Sequence, residues 1–283
     1  MAIQIIIDSS SDILPEEAKQ MGLIHIPLTV TIDGKEYKDG VDITHKQFYE
    51  MLIESSALPT TSQINPAKYS EIIEPVLKAG DTPVIITLAG TLSGTYQSAM
   101  IAADDADGEV YVVDSLNAAL GERILIQQAL RYCEEGISAA ELVERLNKDK
   151  KNIKLLALLD TLEYLKKGGR ISAATAFAGG VLSIKPVIEL KDGVIELVGK
   201  ARGSKNANNL LRELINKSKG IDFSKPLCLA YTGLTDAYIQ KYIEDSRDLW
   251  KDQTDELQIA TVGASIGTHI GPGAIAVCFF EKE

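Results

Sequence analysis

The first half of the chain alternates short apolar runs with helical patterns, and this alternation is the strongest constraint on its fold. Gln4–Ile7, Val84–Leu88 and Val110–Val113 are rich in β-branched residues, and each run stops at a polar or glycine-rich loop. Helical patterns follow the runs, for example over Gly121–Glu134. Strands that alternate with helices predict βαβ units and a parallel sheet. Because ligands bind beyond the carboxyl ends of such strands, these three loops are the first candidates for a site.

The pattern changes after about residue 152. Pro186–Leu190 and Val194–Val198 flank Asp192-Gly193, which is a strong signal for a β-hairpin. A hairpin combined with further strands and helices predicts a mixed or antiparallel sheet with helices on one face. The sequence therefore predicts two α/β domains, residues 1–152 and residues 153–283, each built around its own sheet.

Composition narrows the functions that are open to this chain. The formal net charge of −11 argues against nucleic acid or an anionic membrane surface as a partner. Three scattered cysteines without a CxxC motif argue against a zinc site or a disulfide framework. The N-terminus lacks a secretion signal, and the longest apolar run, residues 173–184, is shorter than the ~18 residues of a membrane helix. We expect a cytoplasmic protein without stable membrane insertion, metal or cofactor.

Two segments place hydroxyl groups where an anion could be held. Pro59–Gln63 carries four consecutive hydrogen-bonding side chains within Ser55–Asn65, which is predicted to be a loop. Gly90–Tyr96 follows a strand and opens a helix, so Ser93 would lie near free backbone N–H groups. Pro59–Gln63 alone is better explained as an ordinary turn or helix cap, whereas Gly90–Tyr96 fits a plain glycine-rich connection equally well. Neither is a nucleotide loop, since the chain has no G-x-x-x-x-G-K-[ST] motif.

The segment Gly263–Gly273, near the C-terminus, is the most unusual stretch of the sequence. We expect a loop there, because its recurring glycines lie between two predicted strands and allow a ligand to approach the backbone closely. It holds His269, one of three histidines in the chain, and the glycine context favours a functional role for this residue. Arg170 and Arg202 are candidates for contact with a phosphate or an acidic partner.

Six segments of the chain, taken in order, resemble the DegV family, whose characterised members bind fatty acids. The matching segments are Asp8–Asp12, Pro59–Gln63, Leu92–Ala99, Leu162–Ile171, Lys185-Pro186 and Ile266–Ala274. Each is short, but together they span nearly the whole sequence. There is one departure, because the family often has proline directly after Thr-Ser-Gln, whereas Ile64 and Asn65 precede Pro66 here.

The resemblance implies a fold and a function. The fold would be an N-terminal three-layer α/β/α domain with a parallel sheet and a C-terminal two-layer α/β domain with a mixed or antiparallel sheet. A long-chain fatty acid would lie between the domains, its carboxylate held by Thr61, Ser62, Ser93, Gly94 and His269. A separate ATP-binding fatty-acid kinase subunit would then convert the carboxylate to an acyl phosphate for phospholipid synthesis.

Other functions remain open from the residues alone. Ser93 with His269 could form a hydrolase, and Asp8 could serve a phosphotransferase. No acidic residue in an obvious orienting motif follows His269, which disfavours the hydrolase. Asp8 and Asp12 share one loop without other acidic ligands, so turn capping is favoured over metal binding. A third alternative is a regulatory module that senses a lipid without catalysis.

Overall fold

The computed structural model describes residues 2–55, 57–172, 184–254 and 256–283. The apolar run at residues 173–184 therefore lies outside the described residues, apart from Ile184. Within the described ranges, no helix is long and apolar enough to cross a membrane.

Strands and helices alternate through the described residues. The strands are β1 (Ile3–Asp8), β2 (Ile24–Ile26), β3 (Thr29–Ile32), β4 (Lys35–Lys38), β5 (Thr60–Ser62), β6 (Thr82–Thr87), β7 (Tyr111–Asp114), β8 (Ile153–Leu158), β9 (Ile184–Lys191), β10 (Val194–Arg202), β11 (Leu227–Tyr231), β12 (Ile259–Thr261) and β13 (Ile275–Phe280). The α-helices are α1 (Pro15–Gln20), α2 (His45–Glu54), α3 (Pro66–Lys78), α4 (Thr95–Asp104), α5 (Leu120–Glu134), α6 (Ala139–Asp149), α7 (Glu163–Lys167), α8 (Ser204–Asn216), α9 (Ala237–Asp245), α10 (Arg247–Trp250) and α11 (Ala264–Ile270).

The first sheet is parallel, with the order β2-β1-β6-β7. Successive side chains of a strand point to opposite faces, and both faces are covered here. Ile6 packs in one core with α3 and α4, whereas Ile7 packs in another with α5 and α6. The result is the three-layer α/β/α arrangement expected of a parallel sheet.

The second sheet is mixed, with the order β10-β9-β8-β13-β11-β12, in which only the β11–β12 pair is parallel. Leu156 faces α8 and α9 in one core. Leu155 and Cys278 face the other way and join the core that includes α5 and the first sheet. Helix α5 therefore lies between the sheets. The predicted fold class, α/β with one parallel and one mixed sheet, is confirmed.

A small antiparallel sheet of order β4-β3-β5 corrects two predictions. The run Ile24–Ile32, whose alternation predicts one strand, forms two strands in two different sheets, separated at Pro27-Leu28. The predicted loop Ser55–Asn65 contains strand β5, whose residues pair with Thr29, Val30 and Thr31. Pairing with β3 therefore gives the hydroxyl segment a fixed backbone, which a loop would lack.

Candidate functional site

A pocket of about 1130 Å³, including the open space at its mouth, lies between the two sheets. Residues from both halves of the chain line it: Ser10, Leu28, Thr61, Ser62, Gln63, Leu88, Leu92, Ser93, Gly94, Ala118, Ala119, Leu120, Leu155, Ala157, Leu165, Arg170, Ile188, Leu190, Ile195, Val262, Ser265, Ile266, His269, Ile270 and Ala276.

Five residues singled out in the sequence lie on the wall of this one pocket. Thr61 and Ser62 come from β5, Ser93 and Gly94 from the loop before α4, and His269 from α11. They come together because β5 is fixed by β3, while the Ser93 loop follows β6 at the carboxyl edge of the parallel sheet. We call this group the polar end of the pocket.

His269 is tied to the polar end by a hydrogen bond of 2.9 Å between Nε2 and the Thr61 hydroxyl. Its Nδ1 is buried and has no hydrogen-bond partner among the described residues. Burial, together with the positive charge of Arg170, lowers the pKa of His269 to about 4. The imidazole is therefore neutral at pH 7 and offers one donor and one acceptor.

Ser93 and Gly94 are arranged by the start of α4. Ser93 Oγ lies 3.0 Å from Thr95 Oγ1 and accepts a hydrogen bond from the Thr95 N–H at 3.3 Å. Gly94 lies directly under the carboxamide of Gln63, so a Cβ at this position would overlap it. Gln63 in turn donates to Ser98 Oγ at 3.1 Å. These contacts join the Ser93 loop to the end of β5.

The two candidate arginines lie in different places. Arg170 lines the pocket, and its guanidinium donates to the carbonyls of Leu92 at 3.1 Å and Gly168 at 2.7 Å. It therefore connects the end of α7 to the loop that carries Ser93. Arg202 lies at the exposed end of β10 and does not line the pocket.

The predicted glycine-rich loop contains a helix, α11, which corrects the sequence interpretation. Two distant carboxylates cap its start. Asp12 accepts from the Gly263 N–H at 2.7 Å, and Asp39 accepts from the N–H groups of Ala264 and Ser265 at 2.9 Å each. Such caps satisfy the free N–H groups of a first helical turn.

The glycines of α11 serve packing and termination. A Cβ on Gly267 would overlap the rings of Phe48 and Tyr49, so glycine lets α11 approach α2 closely. Gly271 follows the helix with a φ of +70°, a conformation that favours glycine. The sequence signal of close backbone approach was correct, but the partner is α2.

Sequence reasoning missed Asp39 and Glu122. Asp39 is 1% exposed and follows β4, where Asp39-Gly40 gives only a turn signal. Glu122 is fully buried in α5 and lies 2.7 Å from the Ser10 hydroxyl, which also donates to Asp8. A buried carboxylate in a helix has no sequence signature, because its partners are remote in the chain.

Acidic residues near the pocket do not form a metal site. Burial raises the pKa of Asp8 to about 6, and it raises the pKa values of Asp12 and Glu122 well above their ordinary range. Across the described residues, no group of three or more His, Cys, Asp or Glu side chains is placed to hold a metal ion. Asp8 is fully buried, and it accepts hydrogen bonds from the N–H groups of Ser10 and Leu88.

Away from the polar end, most of the pocket wall is apolar. The second sheet contributes Leu155, Ala157, Ile188, Leu190 and Ala276, all on the face turned toward the first sheet. The fold and the pocket together define an α/β binding protein whose site is polar at one end and mostly apolar elsewhere.

Comparison with known proteins identifies the family to which the chain belongs. A family model described as "Uncharacterised protein, DegV family" matches residues 2–282. A DegV domain-containing protein of Caldanaerobacter subterraneus is 36% identical over 283 residues, which cover 99% of each chain. The chain therefore belongs to the DegV family.

Solved structures of DegV proteins share the fold. One, described as showing fatty acid binding of a DegV family protein from Thermus thermophilus, is 31% identical, covers 100% of both chains and has a TM-score of 0.87. Another, a stearic acid-binding protein from Eubacterium ventriosum, is 26% identical, with a TM-score of 0.88 over 100% of this chain and 99% of the other.

Proposed function

We propose that this protein binds a long-chain fatty acid, with the carboxylate at the polar end and the acyl chain along the apolar wall. The observation that carries the proposal is the division of one pocket into these two parts. The descriptions of the Thermus and Eubacterium relatives as fatty-acid- and stearic-acid-binding support it. In this proposal the ligand lies between domains 1–152 and 153–283.

Favourable and unfavourable contributions to the binding free energy of such a complex can be compared. Each buried methylene contributes about 0.8 kcal/mol, so a dozen contribute roughly 10 kcal/mol, part of which offsets the cost of association. Removing a carboxylate from water costs several kcal/mol. A hydrogen bond to a charged group returns about 1.5–3 kcal/mol, so three hydroxyl donors roughly cancel that cost. The acyl chain then supplies affinity, and the hydroxyl groups supply specificity.

The proposed donors to the carboxylate are the hydroxyls of Thr61, Ser62 and Ser93 and the N–H of Gly94. His269, neutral at pH 7, would hold Thr61 in place and face the same oxygen atoms. Neutral donors stabilise the carboxylate without cancelling its charge. The oxygen therefore stays nucleophilic, which a later phosphorylation requires.

We further propose that the protein presents this carboxylate to a separate ATP-binding kinase subunit. A surface cleft lined by Leu58, Pro59, Tyr164 and Lys167 shares Thr61, Arg170 and His269 with the pocket. An approaching subunit could reach the carboxylate through this cleft. The carboxylate oxygen would attack the γ-phosphorus of ATP, and ADP would leave, giving an acyl phosphate. Arg170 beside the cleft, and Arg202 on the surface, are the proposed contacts to phosphate or to the partner.

The hydrolase alternative requires a contact between Ser93 and His269, and neither residue has the other as its hydrogen-bond partner. Ser93 is hydrogen-bonded to Thr95, whereas His269 is hydrogen-bonded to Thr61. A nucleophilic serine needs a base within hydrogen-bond reach. Asp8, the phosphotransferase candidate, is fully buried and does not line the pocket. The arrangement therefore favours binding over catalysis by this chain alone.

Extraction of the purified protein tests the binding proposal. The chain is expressed in a bacterium, purified, extracted with organic solvent and analysed by mass spectrometry. We expect close to one equivalent of long-chain fatty acid per protein. An empty pocket, or a polar ligand, would contradict the proposal. For presentation, the loaded protein is mixed with ATP with and without a fatty-acid kinase subunit, and acyl phosphate should form only in the complete mixture.

A further inference from the structure

Ser265 lies in the same pocket as His269, one helical turn nearer the start of α11. Residues four apart share a helix face, so both side chains are directed to the same side of α11. Ser265 is 3% exposed, and its hydroxyl has no hydrogen-bond partner among the described residues. Buried polar groups almost always have a partner in a folded protein.

The usual role of serine at a helix start does not explain this hydroxyl. A serine there commonly caps free N–H groups of the first turn. In α11 those groups are already taken by Asp12 and Asp39, which accept from the N–H groups of Gly263, Ala264 and Ser265 itself. The Ser265 hydroxyl therefore takes no part in capping its own helix.

A second serine on the pocket wall gives the contrast. Ser10 also lines the pocket, but its hydroxyl lies 2.7 Å from Glu122 Oε2 and donates to Asp8. Its hydrogen bonds are directed into the protein. At Ser265, Asp39 accepts from the backbone N–H, and Val262 and Ile266, which line the same pocket, are apolar. Ser265 thus places on the pocket wall a buried hydroxyl that has no partner among the described residues.

We propose that Ser265 recognises a hydroxyl group on the acyl chain, so that the pocket prefers a hydroxylated long-chain fatty acid to the unsubstituted one. This inference rests on the proposed fatty-acid binding. An unsubstituted chain would leave the Ser265 hydroxyl buried without a partner, which is unfavourable. A chain hydroxyl at the same level both donates and accepts, and it satisfies the group. Sites built to pair with a hydroxyl discriminate against analogues that lack it.

The test uses delipidated protein and a series of hydroxyoctadecanoic acids in which the hydroxyl is moved stepwise along the chain. Dissociation constants are measured by calorimetry beside that of octadecanoic acid. We expect one position to bind about tenfold more tightly than octadecanoic acid. The preferred hydroxyl should lie near the carboxyl end, because Ser265 is one turn from His269. Equal affinities across the series would overturn the proposal, since solvent inside the pocket would then satisfy Ser265.

Three variants separate recognition from general damage. Ser265→Ala should reduce the preference to within about twofold, while Ser265→Thr, which keeps a hydroxyl, should retain it. Thr268→Val removes a hydroxyl from the same helix that is already bonded to the Ala264 carbonyl at 2.8 Å, so the preference should persist. A preference that survives in Ser265→Ala would overturn the proposal. Absence of binding by octadecanoic acid and by every hydroxy acid would instead refute fatty-acid binding itself.

Discussion

Gly168 at the end of α7 lies directly against the imidazole of His269, so a Cβ on residue 168 would overlap Nδ1. The φ of Gly168 is −73°, a conformation that any residue adopts. Glycine is therefore required here by space and not by backbone strain. Through this contact, the end of α7 packs against the imidazole of His269.

Replacing Gly168 with alanine should displace His269 from Thr61. We expect Gly168→Ala to weaken fatty-acid binding roughly tenfold and to destabilise the fold by about 1–3 kcal/mol, as overpacking does. Calorimetry with octadecanoate and urea unfolding measure the two effects. In the double variant with His269→Ala, the added methyl group has room, so it should cause little further loss of affinity. Additive losses would show that Gly168 acts independently of His269.

Thr61 is expected to be the most sensitive hydroxyl of the polar end. Thr61→Val removes a proposed donor to the carboxylate and also the partner of His269 Nε2. A hydrogen bond to a charged group is worth about 1.5–3 kcal/mol, so affinity should fall roughly 10- to 100-fold. Thr31→Val, in the neighbouring strand β3 and away from the pocket, is the matched control. Equal losses in both variants would point to damage of the small sheet.

His269 should matter more for phosphorylation than for binding. Its neutral imidazole faces the cleft through which a kinase would approach. We expect His269→Ala to lower the rate of acyl-phosphate formation by a larger factor than it raises the dissociation constant for octadecanoate. The reconstituted kinase assay and calorimetry give the two factors. Equal factors would remove the case for a role of His269 near the transferred phosphate.

The sequence predicted the elements of the fold well where the periodicity was local. The apolar run Leu227–Tyr231 predicts a strand, and the capping signal at Thr44 predicts a helix over His45–Glu54. Both elements have these bounds in the structure. The capping box of α2 uses Thr44 and Gln47, only three residues apart. Signals of this kind lie within one segment, so a single sequence reveals them.

Elements fixed by distant partners could not be predicted. Helix α11 is short and glycine-rich, and its caps, Asp12 and Asp39, are more than 200 residues away in the sequence. Strand β5 has no alternation of its own and exists because it pairs with β3. Motif order located the hydroxyl segments, but only tertiary structure brings Thr61 within 2.9 Å of His269. The unpaired state of the Ser265 hydroxyl likewise has no sequence signal.

The network beneath the pocket fixes the protonation of Glu122. Ser10 has one hydroxyl proton, yet its oxygen contacts both Asp8 and Glu122. One carboxyl must therefore carry a proton. Asp8 accepts two backbone N–H groups, which favours its ionised form. Burial, followed by the charge of Asp8, raises the pKa of Glu122 well above its usual value, so Glu122 is the protonated member.

Stability should consequently fall as the pH rises, and Glu122→Gln should reduce that fall. The folded state keeps a proton on Glu122 that the unfolded chain has released above its ordinary pKa of 4.5, so each rise in pH favours unfolding until the folded pKa is passed. Glutamine is nearly isosteric, and it donates to Ser10 at every pH. Urea unfolding between about pH 6 and about pH 9, above the pKa of about 6 for Asp8, should show a flatter curve for Glu122→Gln. Glu134→Gln, exposed on the same helix, should follow the wild type. If the curves of all three proteins run parallel, Glu122 is ionised in the folded state and the proton assignment is wrong.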